Sequence, residues 1–200
     1  MSIYIADTAI IYPDVILGHN IRIEDYCIIG IPINGQENLR TVISDGAVLR
    51  AGTYIYAGTT IGVNFKSGNK VNIRELCIIG SDVSIGTLTV LEHNVKVGNH
   101  VRVHSQAFLP EYTILEDGAW VGPNVVLTNS LYPNHENAKN ELKGCHIKKN
   151  ARIGANSTIL PGIKIGEASL IGAGSVVTKN VPNNSIMAGN PAVFLRKNSY

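Results

Sequence analysis

The chain has 200 residues, enough for one sizeable domain, and its 17 basic against 15 acidic residues leave a formal charge of +2. That balance argues against a protein built to bind nucleic acid or a membrane surface. The opening MSIYIADTAIIYPD has no basic segment leading into an apolar one, and three cysteines stand far apart, so neither a signal peptide nor a disulfide framework is expected. No run approaches the ~18 apolar residues of a membrane span. A soluble, cytoplasmic protein is the expectation.

Aliphatic residues recur every six positions, at Ile5, Ile11, Leu17, Ile23 and Ile29. The count slips across GIPINGQENLRT and restarts at Ile43. It then runs through Leu49, Ile55, Ile61, Ser67, Ile73, Ile79, Ile85, Leu91, Val97, Val103, Leu109, Leu115, Val121 and Leu127. After a second slip it resumes at Ile147 and continues to Val177. Only Ser67 breaks the aliphatic rule. Two positions before each rung stands a second inward residue, usually small or β-branched, as the period-2 geometry of a strand demands. Cys27, Cys77 and Cys145 fall on that inward position and read as small core fillers. Glycine often follows the rung, as at Gly18, Gly80 and Gly154, where a corner favours a residue tolerant of unusual backbone angles.

A strand of about four residues and a tight corner, repeated, can bury its rung only by coiling the chain on itself. Three sixes make one eighteen-residue turn of a triangular prism, with about eight or nine turns. The expected class is an all-β parallel β-helix, one domain over 1–200. Insertion loops fall at about 30–42 and 129–146, and a C-terminal tail at about 182–200.

The stretch LEHNVKVGNHVRVHS, residues 91–105, holds three histidines. Leu91, Val97 and Val103 take the three sides of one turn, so His93, His100 and His104 lie past three different corners. Corners are roughly 15–20 Å apart, so one chain cannot gather these side chains on a metal, and none is expected. Stepping by eighteen through His93 gives Glu75, His93, Glu111 and Asn129. A histidine between two carboxylates is the arrangement of an oriented general base. Both insertions leave from this same corner, and loops on repeat scaffolds cluster on the functional face. That edge is the candidate site. His100 and His104 enter only if another subunit brings an edge close.

The segments ILEDGAWVGPNVVLTN (114–129), the loop beginning SLYP and ARIGANSTILPGIKIG (151–166) resemble the nucleotide-sugar N-acetyltransferases of bacterial surface-polysaccharide biosynthesis. The ending VVTKNVPNNSIMAGNPAVFLRK (176–197), with GNPA at 189–192, resembles that of acetyl-CoA users of the hexapeptide-repeat fold. The resemblance implies a left-handed helix and a homotrimer with sites between neighbouring prisms. It also implies acetyl transfer from acetyl-CoA to the amine of a UDP- or dTDP-linked deoxysugar. Asn129 would lie near the thioester and the sugar. Gly154, Ala155, Gly172 and Ala173 would let the pantetheine arm approach, while Lys179, Arg196 and Lys197 would meet the phosphates of the coenzyme. Tyr132 and His135 in the long loop are candidates for the acceptor. Where relatives carry a TGH sequence this chain has Ser67-Gly68-Asn69, so no role is carried over there. Two alternatives stay open: O-acetyl transfer to a sugar or serine hydroxyl, and a non-catalytic or metal-binding β-helix trimer.

Overall fold

In a computed structural model, which describes residues 3–36 and 39–199, the chain forms a left-handed parallel β-helix of triangular section. The strands are mostly two residues long, because each hexad spends its other four residues on a corner. They stack into three faces. The first, starting at Tyr4–Ile5, has eleven strands; the second, from Ile10–Ile11, has nine; the third, from Val15–Leu17, has eight. Edge 1 joins the first face to the second, edge 2 the second to the third, and edge 3 the third back to the first. Before the last coil the register is eighteen wherever no insertion intervenes: Asn72 pairs with Val90, Val90 with Phe108, and Phe108 with Val126.

The rungs form the core. Ile85, Leu91, Val97 and Val103, which include one full turn, are each at most 4% exposed. Burying each such side chain contributes about 1.5–3 kcal/mol. At the exceptional rung, the Ser67 hydroxyl accepts a 2.9 Å hydrogen bond from the Arg50 backbone N–H and lies 2.9 Å from Thr53 Oγ1. Phe65, two positions earlier in the chain, is the bulkiest fully buried side chain. All three cysteines are fully buried. Desolvation pushes the Cys77 thiol up to about 12 and that of Cys145 to about 11, so both are inert as nucleophiles.

Two expectations change. Except at Gly30, whose φ is 80°, the glycine after a rung is required for space rather than for backbone angle. A Cβ on Gly80 would come within 2.7 Å of the Gly98 carbonyl carbon, and one on Gly154 within 2.5 Å of the Ala173 nitrogen. The left-handed backbone falls instead three residues after the rung, at Asn64, Asn94 and His100, with φ of 58°, 59° and 56°. Asparagine is common there because it tolerates that region. The ladder also starts less buried than its spacing predicts: Ile5 is 41% exposed, with no described coil beneath it. The C-terminal tail extends the first face. Ser185–Gly189 adds to the first face beside Leu170 and Ile171, and Ala192–Lys197 turns back antiparallel against it.

Candidate functional site

Edge 2 carries the eighteen-residue column as a row of neighbouring side chains. Glu111 is its hub. Its Oε2 accepts a 2.6 Å hydrogen bond from Asn129 Nδ2, and its Oε1 stands 4.0 Å from His93 Nδ1. His93, Glu111 and Asn129 are all half-buried. The ring of Tyr112 meets His93 edge-on at 6.0 Å. Asn129 is itself fixed, because its carbonyl accepts a 2.8 Å hydrogen bond from the backbone N–H of Lys143 at the far end of the long loop.

Glu75 sits on the same edge but faces another partner. Arg74 Nε and a terminal nitrogen hold its carboxylate at 2.8 and 3.0 Å, and Arg74 also reaches Glu92 at 3.4 Å. Burial alone would push the Glu75 carboxyl up. The hydrogen bond from Arg74, with that of a backbone N–H, outweighs it and keeps the group below its ordinary value. Glu111 is therefore the carboxylate next to His93 that is not held by an arginine, while Glu75 and Arg74 form an ion pair beside it. Donor atoms of Glu92, His93 and Glu111 lie within 4.8 Å of one another, but Arg74 places a positive charge against Glu92. Arg74 escaped the sequence analysis although the same count finds it: Tyr56, Arg74 and Glu92 are themselves eighteen apart, one position ahead of the column.

Both insertions leave edge 2, between Ile28–Ile31 and Thr41–Ile43 and between Val126–Leu127 and His146–Ile147. The long loop, with a short 3-10 turn at Ala138–Asn140, encloses a hollow of about 340 Å³. Ser130, Leu131, Tyr132, Ala138, Glu141 and Lys143 line it, starting one residue beyond Asn129. Tyr132 contributes to this wall. His135 does not, and its Nδ1 accepts a 3.3 Å hydrogen bond from the Asn137 backbone N–H.

The other named residues lie elsewhere. Gly154, Ala155, Gly172 and Ala173 follow strands of the first face and sit on edge 1, across the width of the second face from His93. Lys179 follows Val176–Val177 and is on edge 2. Arg196 and Lys197 end the antiparallel strand. His100, exposed on edge 3, is 3.6 Å from Asp82. His104 on edge 1 lies 4.6 Å from the Trp120 ring, with Nε2 buried and without a hydrogen-bond partner among the described residues. Burial first, and then the charge of Arg102, lower its pKa from the ordinary value of 6.5.

A triangular β-helix with a polar edge under two loops is the architecture of a hexapeptide-repeat transferase. Residues 76–111 and 144–179 match the bacterial transferase hexapeptide (six repeats) family. The bifunctional protein GlmU of Listeria monocytogenes serotype 4a is 32% identical over 189 residues, covering 86% of this chain and 37% of that protein. A Bacillus cereus structure provisionally described as an acetyltransferase is 26% identical with a TM-score of 0.52, covering 88% of this chain and 86% of the other. The UDP-N-acetylglucosamine acyltransferase LpxA of Bacteroides fragilis, at 19% identity, shares the fold with a TM-score of 0.60, over 96% of this chain and 74% of its own. The chain carries the hexapeptide repeats of bacterial transferases over those two segments. It spans little more than a third of the length of GlmU. Among the described residues no helix is long and apolar enough to cross a membrane.

Proposed function

We propose that the protein is an acetyl-CoA-dependent N-acetyltransferase for the amine of a UDP- or dTDP-linked amino-deoxysugar, serving surface-polysaccharide (O-antigen or S-layer glycan) biosynthesis in the cytoplasm. The observation that carries this reading is the joining of His93, Glu111 and Asn129 on the edge from which both insertions leave. A neutral amine attacks the thioester carbonyl, and the tetrahedral oxyanion collapses to an amide and the free thiol of CoA. An ammonium has no lone pair, so the proton must leave before or during addition. His93, with Glu111 behind it, accepts that proton directly or through a water. Asn129 Nδ2 has two hydrogens, and Glu111 engages one. The other N–H is available to the oxyanion.

The small coenzyme-contact candidates on edge 1 (Gly154, Ala155, Gly172 and Ala173) and the acid–base residues on edge 2 are roughly 15–20 Å apart in one chain, so a single prism does not complete the site. The face between the two edges is apolar on its outside, where Ile10, Tyr54, Phe108 and Val126 are all exposed. A homotrimer with the second faces turned toward the threefold axis covers these side chains. It also sets edge 1 of one protomer against edge 2 of the next. In that assembly the pantetheine arm runs past Gly172, Ala173, Gly154 and Ala155 toward the neighbour's Asn129, with Lys179, Arg196 and Lys197 near the nucleotide end. The alternative, transfer to a hydroxyl, makes a stronger demand on the base.

The deciding experiment incubates the protein with acetyl-CoA and a panel of UDP- and dTDP-amino sugars, and follows thiol release. Release with an amino sugar and none with its hydroxyl counterpart supports the proposal. Release only with hydroxyl acceptors, or with none of the panel, overturns it.

A further inference from the structure

On the first face, Lys66 pairs with Ser84 and Ser84 with Arg102. Two cations therefore stand two coils apart, about 9.6 Å, with a small hydroxyl residue between them. Arg50, at edge 1, joins them around a hollow of about 270 Å³ floored by Gly68, Ser84 and Gly86. Among the described residues no carboxylate pairs with Arg50, Lys66 or Arg102. The nearby Asp82 accepts a hydrogen bond from Asn64 and faces His100. Three like charges around one depression repel one another unless an anion joins them. The depression opens beside His104, whose Nε2 lacks a partner, and Trp120 is the next residue of the face after Arg102.

We infer that this trough binds the diphosphate of a nucleoside diphosphate, and that the nucleotide is the acceptor's. The inference rests on the nucleotide-sugar reading above. A diphosphate diester carries two negative charges and several acceptor oxygens, which matches three unpaired cations and the donors of Ser84 and the corner backbone. CoA also contains a diphosphate, but its expected contacts lie further along edge 1. Gly154 is three coils from Gly86, or about 14 Å, and Gly172 is a coil beyond that. In the trimer described above, the trough lies at the same level as the neighbour's Glu75–Glu111 row, because Lys66 and Arg102 are each followed on the next face by the coil that carries those residues. Acceptor and coenzyme would then approach along one edge from opposite ends, meeting near His104 and Gly122. His104 and Trp120 are positioning candidates at that meeting point.

The test uses the chain's single tryptophan as a reporter. UDP, dTDP and CoA are each titrated into the full-length protein and its Lys66→Gln, Arg102→Gln and Ser84→Glu variants, by Trp120 fluorescence and by calorimetry. Circular dichroism confirms that each variant is folded; all three side chains point outward from the prism. Saturable UDP or dTDP binding that each variant weakens at least tenfold, with CoA affinity unchanged within twofold, is the expected result. Equal nucleotide affinity in wild type and variants overturns the inference, as does a loss confined to CoA, which would give the trough to the coenzyme. The two proposals fail separately. Trough-dependent UDP or dTDP binding without acetylation of any amino sugar leaves this site standing and sinks the catalytic reading. Acetyl transfer with an unchanged acceptor KM in the variants does the reverse.

Discussion

Glu111 accepts a 2.6 Å hydrogen bond from Asn129, eighteen residues on, and turns its other oxygen to within 4.0 Å of His93, eighteen residues back. One carboxylate thus links the candidate base to the candidate oxyanion donor. Losing a hydrogen bond to a charged group costs about 1.5–3 kcal/mol. Glu111→Gln should therefore lower kcat by roughly tenfold to a hundredfold, while the KM for acetyl-CoA stays unchanged. Equal changes in both constants would show that Glu111 only supports the fold.

His93→Ala should reduce turnover by roughly 10²–10⁴-fold. Single-turnover thiol release measures this directly. A loss below about threefold in a folded variant would mean that the amine sheds its proton without help from the protein.

If each site needs edge 1 of one protomer and edge 2 of another, two inactive variants should rescue each other. Ala173→Trp fills the exposed coenzyme corner, and His93→Ala removes the base. Mixed assemblies from co-expression should regain a measurable part of wild-type activity. Assemblies as inactive as either parent would place the whole site within one chain.

His104 makes stability sensitive to mild acid. Burial and Arg102 hold its folded pKa below the ordinary 6.5, so just beneath that pH the unfolded chain binds more protons. The stability from this depression is fully present above the unfolded value and is lost as pH falls through the folded one. Glu75, held below 4.5, adds a second loss in stronger acid. Urea midpoints measured from about pH 8 to about pH 2 should fall in two stages, and His104→Gln should remove the first. Parallel wild-type and variant curves between about pH 7 and pH 5 would refute this.

Gly80→Ala should cost about 1–3 kcal/mol by urea unfolding, the range for overpacking. The added methyl would meet the Gly98 backbone, which cannot swing aside as a flexible side chain can.

The six-residue period exposed the prism, the inward cysteines, the edge shared by both insertions and the row from Glu75 to Asn129, because rungs and edges repeat with the chain itself. Contacts that depend on side-chain reach were harder to read. Arg74 takes Glu75 away from His93 through a one-residue offset in the same count. The strand at Ser185–Gly189 lies beyond the reach of the period, because only sixteen residues separate Ile171 from its partner Met187. The glycines were recognised by position but explained by the wrong property, since the crowding lies between coils that are distant in sequence.

The regular rise of the prism makes edge 1 a ruler. Arg50, Gly68, Gly86, His104, Gly122, Gly154 and Gly172 mark it at one graduation per coil, each about 4.8 Å. A spare block of eighteen residues spliced in after Gly122 would repeat the same coil-on-coil packing. It would still carry donor and acceptor one graduation further apart, beyond the reach of a tether of fixed length. Selection on chain length in this middle stretch is therefore selection on a distance.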